Sequence, residues 1–344
     1  MKKNMFLAIL LVLGVLVSGC AGKSSQSTAS TSEAGTKSAE KIIRIGYVDS
    51  GKSFPNDALA IAIEKGFLKT ELGKVGYKLE TVPFTGAGPA INEAIAGSSI
   101  DMASSGDVPV TIAKSNGIDT ILVAAEVGFN DAALVVPKDS NVKSIQDLKG
   151  KTVATLKGSY MHKTLADMLA ANNLTINDIQ FVSMTSQDAA AAIISKTVDA
   201  AVLSAVQEAQ IVKSGQGTII LSGANNAEWK GSHGIIARTI YAKANKEAIT
   251  AVVSALLQAG EYAKANSQEA IAILEKSGYP ADALEILFPN KKVDFNVASG
   301  DHAKKAFARI VTFLFSNELI REKPDLDTWI DGSYYEEANK SLKK

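Results

Sequence analysis

The 344 residues contain one cysteine, three histidines, four arginines and two tryptophans. Cys20 alone excludes an internal disulfide framework and any cysteine-ligated metal. The histidines are His162, His233 and His302, and none has a metal-ligating partner at helical or strand spacing. No metal and no cofactor are therefore expected. Nucleophilic catalysis needs a nucleophile beside an oriented base. No Gly-x-Ser-x-Gly elbow occurs, and the Ser-x-x-Lys spacing at Ser140 and Lys143 precedes a turn, so no enzyme is expected. The 36 basic and 36 acidic residues cancel and form no long basic run, which leaves nothing to favour nucleic acid. No repeat of solenoid length is present.

The N-terminus points to a compartment. Lys2 and Lys3 precede an apolar run over residues 5–17, too short for a secure membrane span. Leu16-Val17-Ser18-Gly19-Cys20 resembles a bacterial lipobox, with Val17 where leucine is commoner. The expected organisation is a signal peptide over 1–19 and a lipidated Cys20. A Ser-, Thr-, Ala- and Gly-rich tether, with almost nothing to bury, then runs to residue 40. An extracytoplasmic, lipid-anchored monomer on the bacterial cell membrane follows.

The remaining chain alternates strands and helices. Strands are expected over 43–48, 78–84, 100–103, 120–125, 132–136, 152–156, 179–184, 198–203, 218–221 and 234–237. Helices of about ten residues lie between them, and the last third is mostly helical, over 240–265, 268–276, 281–287 and 302–315. This grammar implies an α/β fold with parallel sheets and helices on both faces. The stretch from Asp147 to His162 organises it: a turn, a buried strand, Gly158, an N-cap at Ser159 and a helix with Met161, Leu165, Met168 and Leu169 on one face. Free N–H groups at such a helix start suit a small polar or anionic group.

Two further turns have the same small-residue chemistry: Thr85-Gly86-Ala87-Gly88 and Ser105-Gly106-Asp107. Convergence of such turns is the usual construction of a cleft site. Ser53 and Phe54 belong to the first cleft loop. Gly46 to Ser53 matches the Walker A spacing, but Gly46 lies inside a strand and Pro55 follows where a helix should run, which argues against a P-loop. Asn130, Tyr160, His162, Asp188, Ser204 and His233 complete the candidate ligand-binding set. Asp107 either faces the ligand or caps its own helix.

Asp147-Leu148-Lys149-Gly150-Lys151, Lys157-Gly158-Ser159 with its nearby histidine, and Gly106-Asp107-Val108-Pro109 resemble the solute-binding proteins of ABC importers for aliphatic sulfonates, taurine and nitrate. Asp188-Ala189 and Val198-Asp199-Ala200 also match that pattern, and the resemblance runs, with gaps, from Ile43 to Arg238. It implies a two-lobe periplasmic-binding-protein fold of the second structural type with a ligand cleft between the lobes. Lobe one would take 41–129 and 233–344, lobe two 130–232, with hinge crossings near 128–132 and 232–235. Its partners would be a small-molecule ligand, a permease and an ATPase. Where the family has tryptophan after Asp-Ala, this chain has Ala201-Val202-Leu203-Ser204. The ligand face is therefore small and polar, and the solute does not carry over. With no arginine in the three turns and with Asp107, Asp188 and Glu208 close by, a zwitterion such as taurine fits better than nitrate or a plain alkanesulfonate. A thiamine-precursor pyrimidine binder, a ligand-sensing lipoprotein and an enzyme on the same fold are the alternatives.

Overall fold

The computed structural model describes residues 41–343. The expected signal segment, Cys20 and tether lie outside these. Eleven strands are described: β1 (Lys41–Val48), β2 (Tyr77–Phe84), β3 (Met102–Gly106), β4 (Thr120–Asn130), β5 (Ala132–Pro137), β6 (Thr152–Thr155), β7 (Gln180–Ser183), β8 (Ala200–Ser204), β9 (Gly217–Ser222), β10 (Gly231–Arg238) and β11 (Val297–Ala298).

They form two sheets with one plan. The first has the order β2-β1-β3-β10-β4-β11 and the second β7-β6-β8-β5-β9. In each, the first three strands of the lobe are parallel. The next place is filled by an antiparallel strand that has just arrived from the other lobe, β10 in one and β5 in the other. Each lobe is thus locked by a strand whose neighbour in sequence belongs to its partner. The strands beside these crossings, Thr120–Asn130 and Ala132–Pro137, are nearly continuous apolar runs because helices cover both faces. The edge strand β2 alternates instead, with Lys78 and Glu80 outward and Pro83 tolerated because an edge N–H is not needed.

Several boundaries differ from the sequence reading. In place of a single helix between β1 and β2 there are two: Ala58–Glu64, then Phe67–Lys74 with Gly66 (φ +74°) as its N-cap. The long helix expected over 240–265 breaks at Asn245, whose side chain accepts from Tyr77 Oη at 2.6 Å and donates to the Tyr241 carbonyl. The third strand runs on to Gly106 because Ser104 and Ser105 are buried despite their hydroxyls. The first crossing is Asp131 alone, between β4 and β5. The return passage, expected over 232–235, lies earlier, between β9 and β10. Gly231 is already paired with Asn130, and His233 onwards with β3 and β4, in the first sheet.

Among the described residues no helix is long and apolar enough to cross a membrane.

Candidate functional site: the cleft between the lobes

The carboxyl ends of β1, β2 and β3 in one lobe, and of β6, β7 and β8 in the other, carry the loops at the sheet edge where open α/β folds bind ligands. Their geometry sorts the candidate residues into three groups.

The first group is exposed loop. Thr85, Gly86 and Ala87 are exposed at the start of the helix Ala87–Ala96, whose N-cap Gly86 supplies no side-chain bond, leaving the terminal N–H groups free of a local acceptor. Ala87 and Ser53 both hold φ +52°. A left-handed non-glycine residue costs on the order of 1 kcal/mol, a strain that tends to gather at functional loops. In the loop after β1, Asp49 Oδ1 accepts from the N–H of Lys52 at 3.1 Å and of Ser53 at 2.8 Å. A P-loop needs such groups for phosphate, so the Walker spacing here is occupied by the chain's own carboxylate. Phe54 packs on the core of the first lobe.

The second group is framework, buried except around Gly158, Ser159 and Asp188. Gly88 allows two helices to touch, since a Cβ there would sit 2.3 Å from Pro109 Cβ. Beside it Ser105 is fully buried, and its hydroxyl has no partner. Asp107 is fully buried and accepts from Val108 N and from Ser232 N, both at 2.7 Å. Burial pushes its carboxyl up, against those two bonds and the nearby Lys163. It joins its own helix start to the return strand, so both alternatives read from the sequence bear on a group already occupied by backbone. His162 is 3% exposed and lies between Phe181 of its own lobe at 4.8 Å and Phe313 of the other at 5.0 Å. Burial, then Lys157, lowers its pKa to about 4, so it is a neutral packing ring at the lobe contact. Ser159 caps its helix by accepting from His162 N at 3.3 Å, next to Gly158. Asp188 is exposed and shares a reciprocal cap with Thr185.

The third group meets at the crossings. Tyr160 lies against the bare backbone of Gly231, where a Cβ would come within 2.7 Å of Tyr160 Cβ, and its hydroxyl donates to the Asp131 carbonyl at 3.4 Å. Ser204 N donates to Ser186 Oγ at 3.0 Å, and its own hydroxyl goes to Gln207. Asn130 is 9% exposed at the end of β4. Asp131 and Glu208 are both buried, and each has one carboxylate oxygen without a partner. Burial raises both, and Asp131's charge brings Glu208 to about 7. His233 Nδ1 is 3.2 Å from Asp57 Oδ2, and Glu126 stands across the strands from it. The sequence reading passed over Asp57, Glu126 and Asp131. The one signal for Glu126 was an acid inside an otherwise apolar run, and a buried acid is rare without a partner or a task.

Two lobes built on one sheet plan and joined by two crossings make the two-lobe periplasmic-binding-protein fold of the second structural type. Comparison with known proteins agrees. The family model described as "NMT1/THI5 like" matches residues 57–270, more than half of the chain. An aliphatic sulfonates-binding protein of Escherichia coli K12 is 30% identical over 86% of this chain and 91% of its own length. The chain belongs to the NMT1/THI5-like family, among the substrate-binding proteins of ABC transporters. The periplasmic sulfonate-binding protein SsuA of Methylobacillus flagellatus superposes with a TM-score of 0.79 at 28% identity, covering 88% of this chain and 95% of that one. The aliphatic sulphonate-binding SsuA of Escherichia coli gives 0.72 at 26%, covering 85% and 92%. The desulfurization enzyme DSZB shares the fold at 16% identity, TM-score 0.70, covering 88% and 99%. Fold alone therefore does not separate binder from enzyme; the sequence relatives are binding proteins.

Proposed function

We propose that the chain is the lipid-anchored extracytoplasmic receptor of an ABC importer and that it captures a small zwitterionic sulfonate between its lobes. The observation that carries the solute class is a division of hydrogen-bonding character in the cleft. The loop at Thr85, Gly86 and Ala87 offers N–H groups and a hydroxyl to an oxyanion, whereas both the N–H and the hydroxyl of Ser159 donate to the Leu156 carbonyl. At the crossings, Asp131 and Glu208 offer buried acceptor oxygens that lack donors. A bound amine would supply those donors, and an unfilled buried acceptor costs about 1–3 kcal/mol. Relatives named for sulfonates support the anionic half of this reading.

Isothermal titration calorimetry of taurine, butanesulfonate and an aminopyrimidine against the chain checks it. Taurine is expected to bind most tightly. Preference for butanesulfonate removes the amine from the reading, and preference for the aminopyrimidine removes the sulfonate. The lipid anchor has its own check. Wild type should fractionate with membranes, and Cys20→Ala should not, or should remain uncleaved. Identical fractionation and mobility of the two would dismiss the anchor.

A further inference from the structure

Asp57, Glu126 and His233 come from three separate places in the chain. Asp57 is the N-cap of the helix Ala58–Glu64, Glu126 lies on β4, and His233 lies on β10 directly across from Glu126. A carboxylate oxygen of each acid and a ring nitrogen of the histidine all lie within 4.8 Å of one another. The three residues are 2%, 0% and 7% exposed.

Each carboxylate is held in place by protein donors and keeps capacity towards the others. Asp57 Oδ1 accepts from Leu59 N at 3.0 Å, and Oδ2, which faces His233, accepts from Ser104 Oγ. Glu126 Oε1 accepts from Ala58 N at 3.2 Å, whereas its Oε2, fully buried, has no partner. Such orienting bonds are what surrounding groups provide to ligands of a metal. A closed hydrogen-bonded relay would have placed Oε2 on the imidazole. Instead Nδ1 faces Asp57 and the glutamate oxygen is left over.

We propose that these three side chains bind a divalent transition-metal ion of the zinc class at the floor of the cleft. Charge supports it, since two carboxylates and a neutral imidazole compensate a dication, and no lysine or arginine pairs with either acid among the described residues. Geometry supports it too. Tetrahedral zinc with bonds of about 2.0–2.1 Å sets neighbouring ligand atoms about 3.3 Å apart. The Asp57–His233 separation is 3.2 Å, so Glu126 is the ligand left to close in, from no more than 4.8 Å. One nitrogen and two carboxylates suit zinc, cobalt, iron(II) or manganese, whereas calcium wants six to eight oxygens. Phe129 packs against His233 with the rings tilted by 58° and 5.1 Å apart, and Phe295 lies 5.6 Å from Phe129, giving the site an apolar wall. Three protein ligands leave the fourth position open to water or to a donor of a bound solute.

The test uses the chain after chelator treatment and without any solute, so it stands apart from the taurine experiment. Cobalt(II) is titrated while the visible d–d bands are followed, and zinc uptake is measured by equilibrium dialysis. One equivalent is expected, with zinc displacing cobalt. The near-isosteric Glu126→Gln and the smaller His233→Ala should each weaken binding by at least about a hundredfold, given that even supporting residues cost 10–100-fold. His302→Ala, at an exposed position, should leave it unchanged. Absence of stoichiometric binding by the wild type at micromolar metal overturns the proposal, whether or not the variants fold. So does binding that survives both substitutions, which would place the ion elsewhere.

Discussion

Glu208 stands in the first turn of the helix Ala205–Lys213, 2% exposed, with one oxygen unpartnered. Burial first, and the charge of Asp131 second, raise its pKa from 4.5 to about 7. Between those two values the native state keeps a proton that the unfolded chain has already lost. Stability therefore falls as pH rises through that window. A shift of this size corresponds to roughly 3–4 kcal/mol at most. Glu208→Gln cannot ionise and should lose less stability between pH 4.5 and pH 8 than wild type, by roughly 2 kcal/mol. Urea unfolding at the two pH values measures it. An unchanged difference would mean that Glu208 is solvated or already paired. The same residue is asked to accept from an amine at neutral pH, so an amine ligand should also pull its proton off.

At the level of elements, much of the architecture could be read from periodicity. The runs at Thr120–Asn130 and Ala132–Pro137 announce doubly covered strands, and the strand–helix alternation announces α/β layers with parallel strands. The two-lobe plan came from the family resemblance, and the antiparallel strands β4, β5, β9 and β10 were not foreseen. Small residues after the strands marked the loops that edge the cleft, and Ser159 is the N-cap it was expected to be. Element ends were less legible, for physical reasons. Asn245 breaks a helix because a tyrosine from a distant strand takes its carbonyl oxygen, and no local pattern encodes that. The return crossing was misplaced because the glycine and serine that open β10 look like a turn. They are strand because Gly231 meets Tyr160 and Ser232 N meets Asp107. The acid–histidine cluster was invisible for a related reason. Its members lie 176 residues apart between Asp57 and His233, and metal spacing rules cover only neighbours on one element.

For the whole molecule, the decisive quantity is how firmly the lobes hold each other without a solute. They touch on two flanks. On one, Lys213 Nζ pairs with Asp282 Oδ2 at 2.7 Å between partly exposed side chains. On the other, His162 meets Phe313 edge-on, and Arg309 Nη1 forms a second ion pair with Glu228 Oε1 at 2.5 Å, also between partly exposed side chains. An exposed ion pair contributes about 0–1 kcal/mol, and an aromatic edge contact about 0.5–1.5. Such sums are small against the entropy of opening and against the unpartnered acceptors that closure buries at Asp131 and Glu208. The solute-free protein should therefore populate an open form, and ligand binding should draw the lobes together. Small-angle scattering is expected to give a larger radius of gyration without solute than at saturation. An unchanged radius would mean that the lobes are fixed and the site fills without closure. Lys213→Ala removes one closing contact while leaving the cleft groups in place. Its solute affinity should fall by no more than about fivefold, as expected for a group acting only on the open–closed balance. A loss of a hundredfold would instead place Lys213 on the solute.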